Sequence, residues 1–141
     1  MIRYREVDQY KYQLMEDYKV KIDIRPVIKL STPSKSPFII LAPNGVLTIK
    51  KYYSWDGPSG PSIDTKTFMR GSLVHDALYQ LLRSGILGTN YRVQADQTLK
   101  DICKEDGMSA FRCWYVFKAV RLFASGAAEI GSGNTKTYTA P

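Results

Sequence analysis

The sequence predicts an α+β domain: a small antiparallel N-terminal β-sheet, a Gly/Pro loop, then a bundle of about three helices. Three observations carry this. Apolar and polar residues alternate from about Tyr10 to Tyr53; Gly and Pro interrupt the chain from 54 to 67; and beyond residue 68 the apolar spacing becomes helical. With 141 residues and 44% hydrophobic content, the chain has the length of one domain and the apolar mass for a core. That domain is expected over 1–125, divided into a β region (10–53), the loop (54–67) and the helices (68–125). The tail, 126–141, loses apolar density and is expected to be flexible.

Taken in order, Tyr10, Tyr12 and Leu14, then Tyr18, Val20, Ile22 and Ile24, have the period of two expected of half-buried strands. STPSKSP at 31–37 reads as a loop. Asn44-Gly45 lies between FIILA and VLTIKKYY, and such a pair between apolar strands marks a hairpin because both residues tolerate positive φ. Regular structure is expected to stop at SWDGPSGPSIDTKT.

After the loop, Leu73, Ala77 and Leu81 repeat at i, i+4, i+8, with Val74, Leu78 and Leu82 one residue on, and the helix ends at Ser84-Gly85. A second helix is expected from Val93 to Glu105, stopping near Gly107. A third runs from Ser109, a candidate N-cap, to about Ala124. Arg112, Lys118 and Arg121 do not form one clean polar face on this last helix. That favours a helix largely buried against the others over one lying on a membrane surface.

Composition excludes several classes. Twenty Lys and Arg are scattered among thirteen acids, with no run longer than Lys50-Lys51 and no nucleic-acid-binding motif, so the net charge of +7 does not predict specific nucleic-acid binding. Cys103 and Cys113 cannot build a disulfide framework, nor a zinc site with a single histidine; reduced core thiols are expected. The N-terminus alternates charge with tyrosine, and no apolar run approaches a membrane span, so a soluble protein made in the cytosol is expected.

The chemistry-bearing stretch is SLVHDALYQLL at 72–82. On a helix, His75, Asp76 and Tyr79 can project from one side, together with Ser72 and Arg83. Leu and Val residues take the opposite side, so His75 is expected on a polar surface or at the floor of a cleft. Just before it, WDGPSGPS offers backbone carbonyls that could bind a hard cation such as calcium, or could simply make a tight connection. If the second helix packs antiparallel to the first, Asp96 in RVQADQTLKDIC can approach His75. There it would fix the imidazole tautomer and leave the other nitrogen as a general base; otherwise it is an early-turn acid favourable to the helix dipole.

A Gly-rich loop, then HDALY, then AD opening the next helix resembles the centre of phospholipase A2, and in layout the short, disulfide-free versions of parvovirus capsid proteins. The resemblance covers about Trp55 to Asp101. It implies a phospholipase A2-like helix pair with His75 as general base, Asp76 as calcium ligand, Asp96 as the acid orienting His75, and Tyr79 as hydrogen-bonding support. It also implies carbonyls around Trp55, Gly57 and Gly60 completing the calcium site. The chain departs from that pattern in having Leu78 for a cysteine, Pro58 and Pro61 in the loop, and an added N-terminal sheet.

Over its whole length, through YYSWDGPSGPSIDTKTFMRGSLVHDALYQLLR, ADQTLKDICKEDGMS and YVFKAVRLFA, the chain resembles an uncharacterised family of tailed phages and prophages, the domain of unknown function numbered 1353. Together the resemblances imply a phage-encoded, calcium-dependent ester hydrolase acting at a phospholipid or membrane surface. The alternative is a non-catalytic virion or accessory protein that binds phage or host proteins with the same scaffold. Either would be made in the host cytoplasm, and could be carried in the virion.

Overall fold

The computed structural model describes residues 1–7, 12–57 and 66–123. Among these, short strands come first: β1 (Tyr4–Glu6), β2 (Tyr12–Leu14), β3 (Tyr18–Lys21), β4 (Leu30–Ser31), β5 (Ile39–Leu41), β6 (Val46–Ile49) and β7 (Ser54–Trp55). Helices α1 (Lys66–Arg83), α2 (Arg92–Glu105) and α3 (Ala110–Phe123) follow, with a 3-10 turn at Thr89–Tyr91 before α2. The expected α+β class is what the chain adopts. It builds two antiparallel sheets where one was expected, in the orders β1-β2-β7 and β3-β6-β5-β4.

The alternation that marks the strands is the alternation of their burial. Tyr12 and Leu14 point inward, as do Ile39 and Leu41, and Leu47 and Ile49. Register puts Ile39 opposite Ile49 and Leu41 opposite Leu47, so the apolar sets of β5 and β6 share one face. The hairpin between them has a three-residue loop. Gly45 N–H donates to Ala42 O at 2.9 Å and Ala42 N–H to Val46 O at 2.9 Å. Among the turn residues only Gly45 takes positive φ, +89°. Pro43 presets the turn and Gly45 supplies the left-handed position, so Asn44 does not need one; its Oδ1 instead accepts from Val46 N–H at 3.1 Å.

The chain passes between the two sheets at Asp17 and again at Tyr52. The Asp17 carboxylate accepts from Lys50 Nζ and Lys51 N–H, both at 2.8 Å, and the Lys50 contact holds its carboxyl below the usual range. Tyr52 has φ +76°, a conformation a bulky residue takes only when its surroundings impose it. Its N–H donates to Leu14 O at 2.8 Å, which ties the crossover to β2. Beyond it β7 pairs with β2, where the sequence predicted that regular structure had ended.

Both first helices end where the glycines predict. Gly85 (φ +73°) closes α1 with Ile86 N–H bonded to Leu81 O and Gly85 N–H to Leu82 O; Gly107 (φ +98°) closes α2 with the same paired pattern. Ser109 caps α3, its Oγ accepting from Arg112 N–H at 3.3 Å. α1 and α2 run antiparallel, since Gly71 meets Leu99 and Cys103 while His75 and Tyr79 meet Asp96. A Cβ at Gly71 would lie 2.7 Å from Cys103 Sγ and 3.0 Å from Leu99 Cδ1, so any larger residue at this close crossing has to displace those side chains.

The main core joins both sheets to α1. A smaller cluster of Phe68, Leu99, Cys103, Met108, Cys113 and Val116 seats α3 on the helix pair. α3 is therefore not largely buried, as its sequence suggested: it packs one face and leaves Phe111, Trp114, Tyr115 and Leu122 exposed. Among the described residues no helix is long and apolar enough to cross a membrane.

Candidate functional site

Antiparallel packing of α1 and α2 brings the second turn of α2 against the middle of α1. Asp96, with no exposed surface, sits at that contact. His75 Nε2 lies 2.7 Å from Asp96 Oδ1, and Tyr79 Oη donates to the same oxygen at 2.6 Å. Tyr79 is one helical turn beyond His75, so their rings stack along α1 with centroids 4.1 Å apart. Thus His75, Asp96 and Tyr79 form one connected group.

The other Asp96 oxygen is held from α3. Arg121 donates to Oδ2 at 2.9 Å, and Arg92, one turn before Asp96 on α2, lies 4.0 Å away. Arg92 also donates to Tyr79 Oη at 3.1 Å and to the carbonyls of Val120 and Arg121, in the last turn of α3, at 3.1 and 2.8 Å. Burial opposes ionisation of Asp96, but the hydrogen bonds from His75, Tyr79 and Arg121 outweigh it and hold its carboxyl below the usual range. Asp96 is therefore an acceptor only, and His75 must carry its proton on Nε2. Burial, followed by the bond to ionised Asp96, pushes the Tyr79 phenol up.

That tautomer leaves the Nδ1 lone pair free. Among the described residues no fully buried side-chain nitrogen or oxygen lacks a hydrogen-bond partner. Among the described residues nothing hydrogen-bonds to Nδ1, and His75 as a whole is 7% exposed. Spacing had suggested a polar surface; instead His75 is buried, because α2 crosses over the side of α1 that carries it.

Asp76 points about a quarter-turn away from His75, onto the face shared with Ser72 and Gln80. That face meets the strand before the loop. Trp55 Nε1–H donates to Ser72 Oγ at 3.0 Å, and Tyr53 Oη donates to Gln80 Oε1 at 3.2 Å. Asp76 is partly buried between these two ties. Among the described residues no hydrogen bond or ion pair reaches its carboxyl. Burial, then the nearby charge of Asp56, pushes it up to about 7, against an opposing pull from Arg83.

Of the residues expected to lend carbonyls, Trp55 is fixed by pairing with Tyr12 and by its indole bond to Ser72. Gly57 has φ +76°, and a Cβ there would overlap the Tyr12 ring, so only glycine fits. Gly60, with Pro58 and Pro61, lies outside the described residues. Among the described residues no three His, Cys, Asp or Glu side chains converge as a metal group. Oxygen donors of the kind a hard cation takes are present none the less: the Asp76 carboxyl, which no described residue bonds, the nearby Asp56, and backbone oxygens from Trp55 to Gly57. Comparison with models of known families, with curated proteins and with solved structures gives no match.

Three site residues escaped the sequence reading. Arg92 had a local signal, four residues before Asp96, where an i, i+4 ion pair is expected. Arg121, 25 residues from Asp96, and Asp56, which acts on Asp76 across the loop, had none.

Proposed function

We propose that the chain is a phospholipase A2-like ester hydrolase of the phage and prophage type it resembles, with His75 as its base and calcium as its cofactor. The observation that carries this is the His75–Asp96 contact, which fixes the Nε2–H tautomer and leaves Nδ1 without a hydrogen-bond partner among the described residues. His75 Nδ1 takes a proton from water as that water attacks the ester carbonyl, and returns it to the leaving alkoxide. Asp96 stabilises the imidazolium formed in between, and Tyr79 and Arg121 keep Asp96 ionised and oriented. Asp76, with oxygens from Trp55 to Gly57, would hold the calcium; when bound, that ion polarises the ester carbonyl. Calorimetric titration with calcium should show binding to the wild type that is lost in Asp76→Ala. Hydrolysis of phospholipid vesicles should then be calcium-dependent and fall at least ~100-fold in His75→Ala. A folded wild type that hydrolyses no lipid class with calcium present would overturn the proposal.

One observation favours a second reading. Asp96 and Arg92 together tie α1, α2 and the end of α3, as a purely architectural network would. In that reading the protein is a non-catalytic virion or accessory component that binds phage or host proteins, and His75→Ala lowers stability with no turnover to lose. Recovery from purified virions at a fixed copy number, without hydrolysis, supports it.

A further inference from the structure

α3 has two faces of different kinds. Cys113, Val116 and Val120 pack inward against α2 and the start of α1. Phe111, Trp114, Tyr115, Lys118 and Leu122, spaced at i, i+3, i+4, i+7 and i+11, fall within one side of the helix and point outward. Phe111 is 75% exposed, Leu122 71%, Trp114 49% and Tyr115 44%. Phe111 and Trp114 are in ring contact at 6.1 Å, so the stripe is continuous at its first turn.

The charge beside this stripe has one sign along the helix. α3 carries Arg112, Lys118 and Arg121 and no acid, and of these Arg121 is turned onto buried Asp96. On α2, Lys100 lies over the Phe117 ring at 5.3 Å, at the border of the same surface, and the exposed residues that follow it alternate in sign, Asp101, Lys104 and Glu105. The chain as a whole is at +7. An apolar stripe of Phe, Trp, Tyr and Leu, with exposed Lys118 within it and no acid of its own on a chain of net charge +7, complements a surface that is apolar within and anionic at its rim. Trp and Tyr favour that boundary because their rings are apolar and their N–H or O–H stays wet, and Lys118 can extend its stem toward the headgroups.

We infer that the outer face of α3 is a docking surface for an anionic phospholipid bilayer, with the helix lying in the plane of the interface. This holds independently of whether His75 acts on an ester. The two tryptophans make it measurable, because Trp55 is 2% exposed and already in an apolar setting, whereas Trp114 is half-exposed.

The experiment is a titration of the full chain with vesicles of ether-linked phosphatidylglycerol, which contain no carboxylic ester to cleave, followed by tryptophan emission. Emission is expected to shift to the blue with these vesicles and not with ether-linked phosphatidylcholine. The double variant Phe111→Ser/Leu122→Ser, checked for an unchanged thermal melt, should lower partitioning about tenfold or more. Lys118→Glu should lower it about fivefold. Three results would overturn the inference: no shift with either lipid; equal shifts with both; or emission of the free protein that is already blue and resists quenching by acrylamide, which would show the face covered by the chain itself or by a second copy. Because the vesicles carry no carboxylic ester, hydrolysis of a soluble carboxylic ester by a protein that ignores them would overturn the docking surface alone.

Discussion

His75 Nε2 and Asp96 Oδ1 lie 2.7 Å apart although 21 residues separate them in the chain. The contact exists because Gly71, one turn before His75, lets α2 cross α1 closely, and because the glycine ends of α1 and α2 turn the chain at the right places. The proposed catalytic base and an architectural tie would use the same bond, so perturbation of each partner has to separate them.

Asp96→Ala is expected to cost about 3 kcal/mol of stability, because it leaves Arg121, the Tyr79 hydroxyl and the His75 N–H around a buried position with no acceptor. Urea denaturation reads this directly. A loss below about 1 kcal/mol would mean that water replaces the carboxylate and that the network does not hold α3.

The same carboxylate sets the acid limit. The carboxyl of Asp96 is held below its unfolded value, so its contribution is fully present above about pH 4 and disappears as pH falls through the folded value. Midpoints of urea denaturation between pH 5 and pH 2 should fall steeply in the wild type and less steeply in Asp96→Asn. Parallel slopes would remove Asp96 from the acid response.

Asp76 works in the opposite direction. Its carboxyl is pushed up to about 7 in the fold, so the native state keeps a proton the unfolded chain releases near pH 4, and stability falls as pH rises from about 4 to 7. At pH 8, without divalent cations, Asp76→Asn is expected to be more stable than the wild type by roughly 2 kcal/mol. Added calcium should close that gap by stabilising the wild type only. A variant less stable than the wild type at pH 8 would show that the carboxylate has a partner in solution.

Gly71→Ala tests the helix crossing. Alanine favours a helix by about 1 kcal/mol, but its Cβ would press on Cys103 Sγ and Leu99, so a net loss of about 1–2 kcal/mol is expected in thermal melts. Any hydrolytic activity should fall with it, as the His75–Asp96 distance opens. A stabilised variant would show that Leu99 and Cys103 move aside freely.

Gly57→Ala carries two costs, positive φ and overlap with the Tyr12 ring, and should lose about 2 kcal/mol or more. Calorimetry of the variant with calcium then shows whether the backbone between Trp55 and the loop contributes to cation binding. Unchanged stability would mean that the segment relaxes away from Tyr12.

The parts of the fold that could be read from residue order are those governed by nearest neighbours. The α1 and α2 periodicities, their Gly85 and Gly107 ends, the Ser109 cap and the hairpin around Gly45 all follow from interactions within about six residues, as helices and tight turns do. His75, Asp76, Tyr79 and Asp96 could be singled out in the same way, because HDALY and the later AD are local patterns. Long-range packing settled the rest. β1 and β7 are two or three residues long, too short to carry a period, and exist because β2 lies between them. The burial of His75, the separation of Asp76 onto another face, and the capture of Asp96 by Arg121 depend on how α2 and α3 pack. Electrostatic partners are chosen by distance in space, and a chain sequence records only distance along itself.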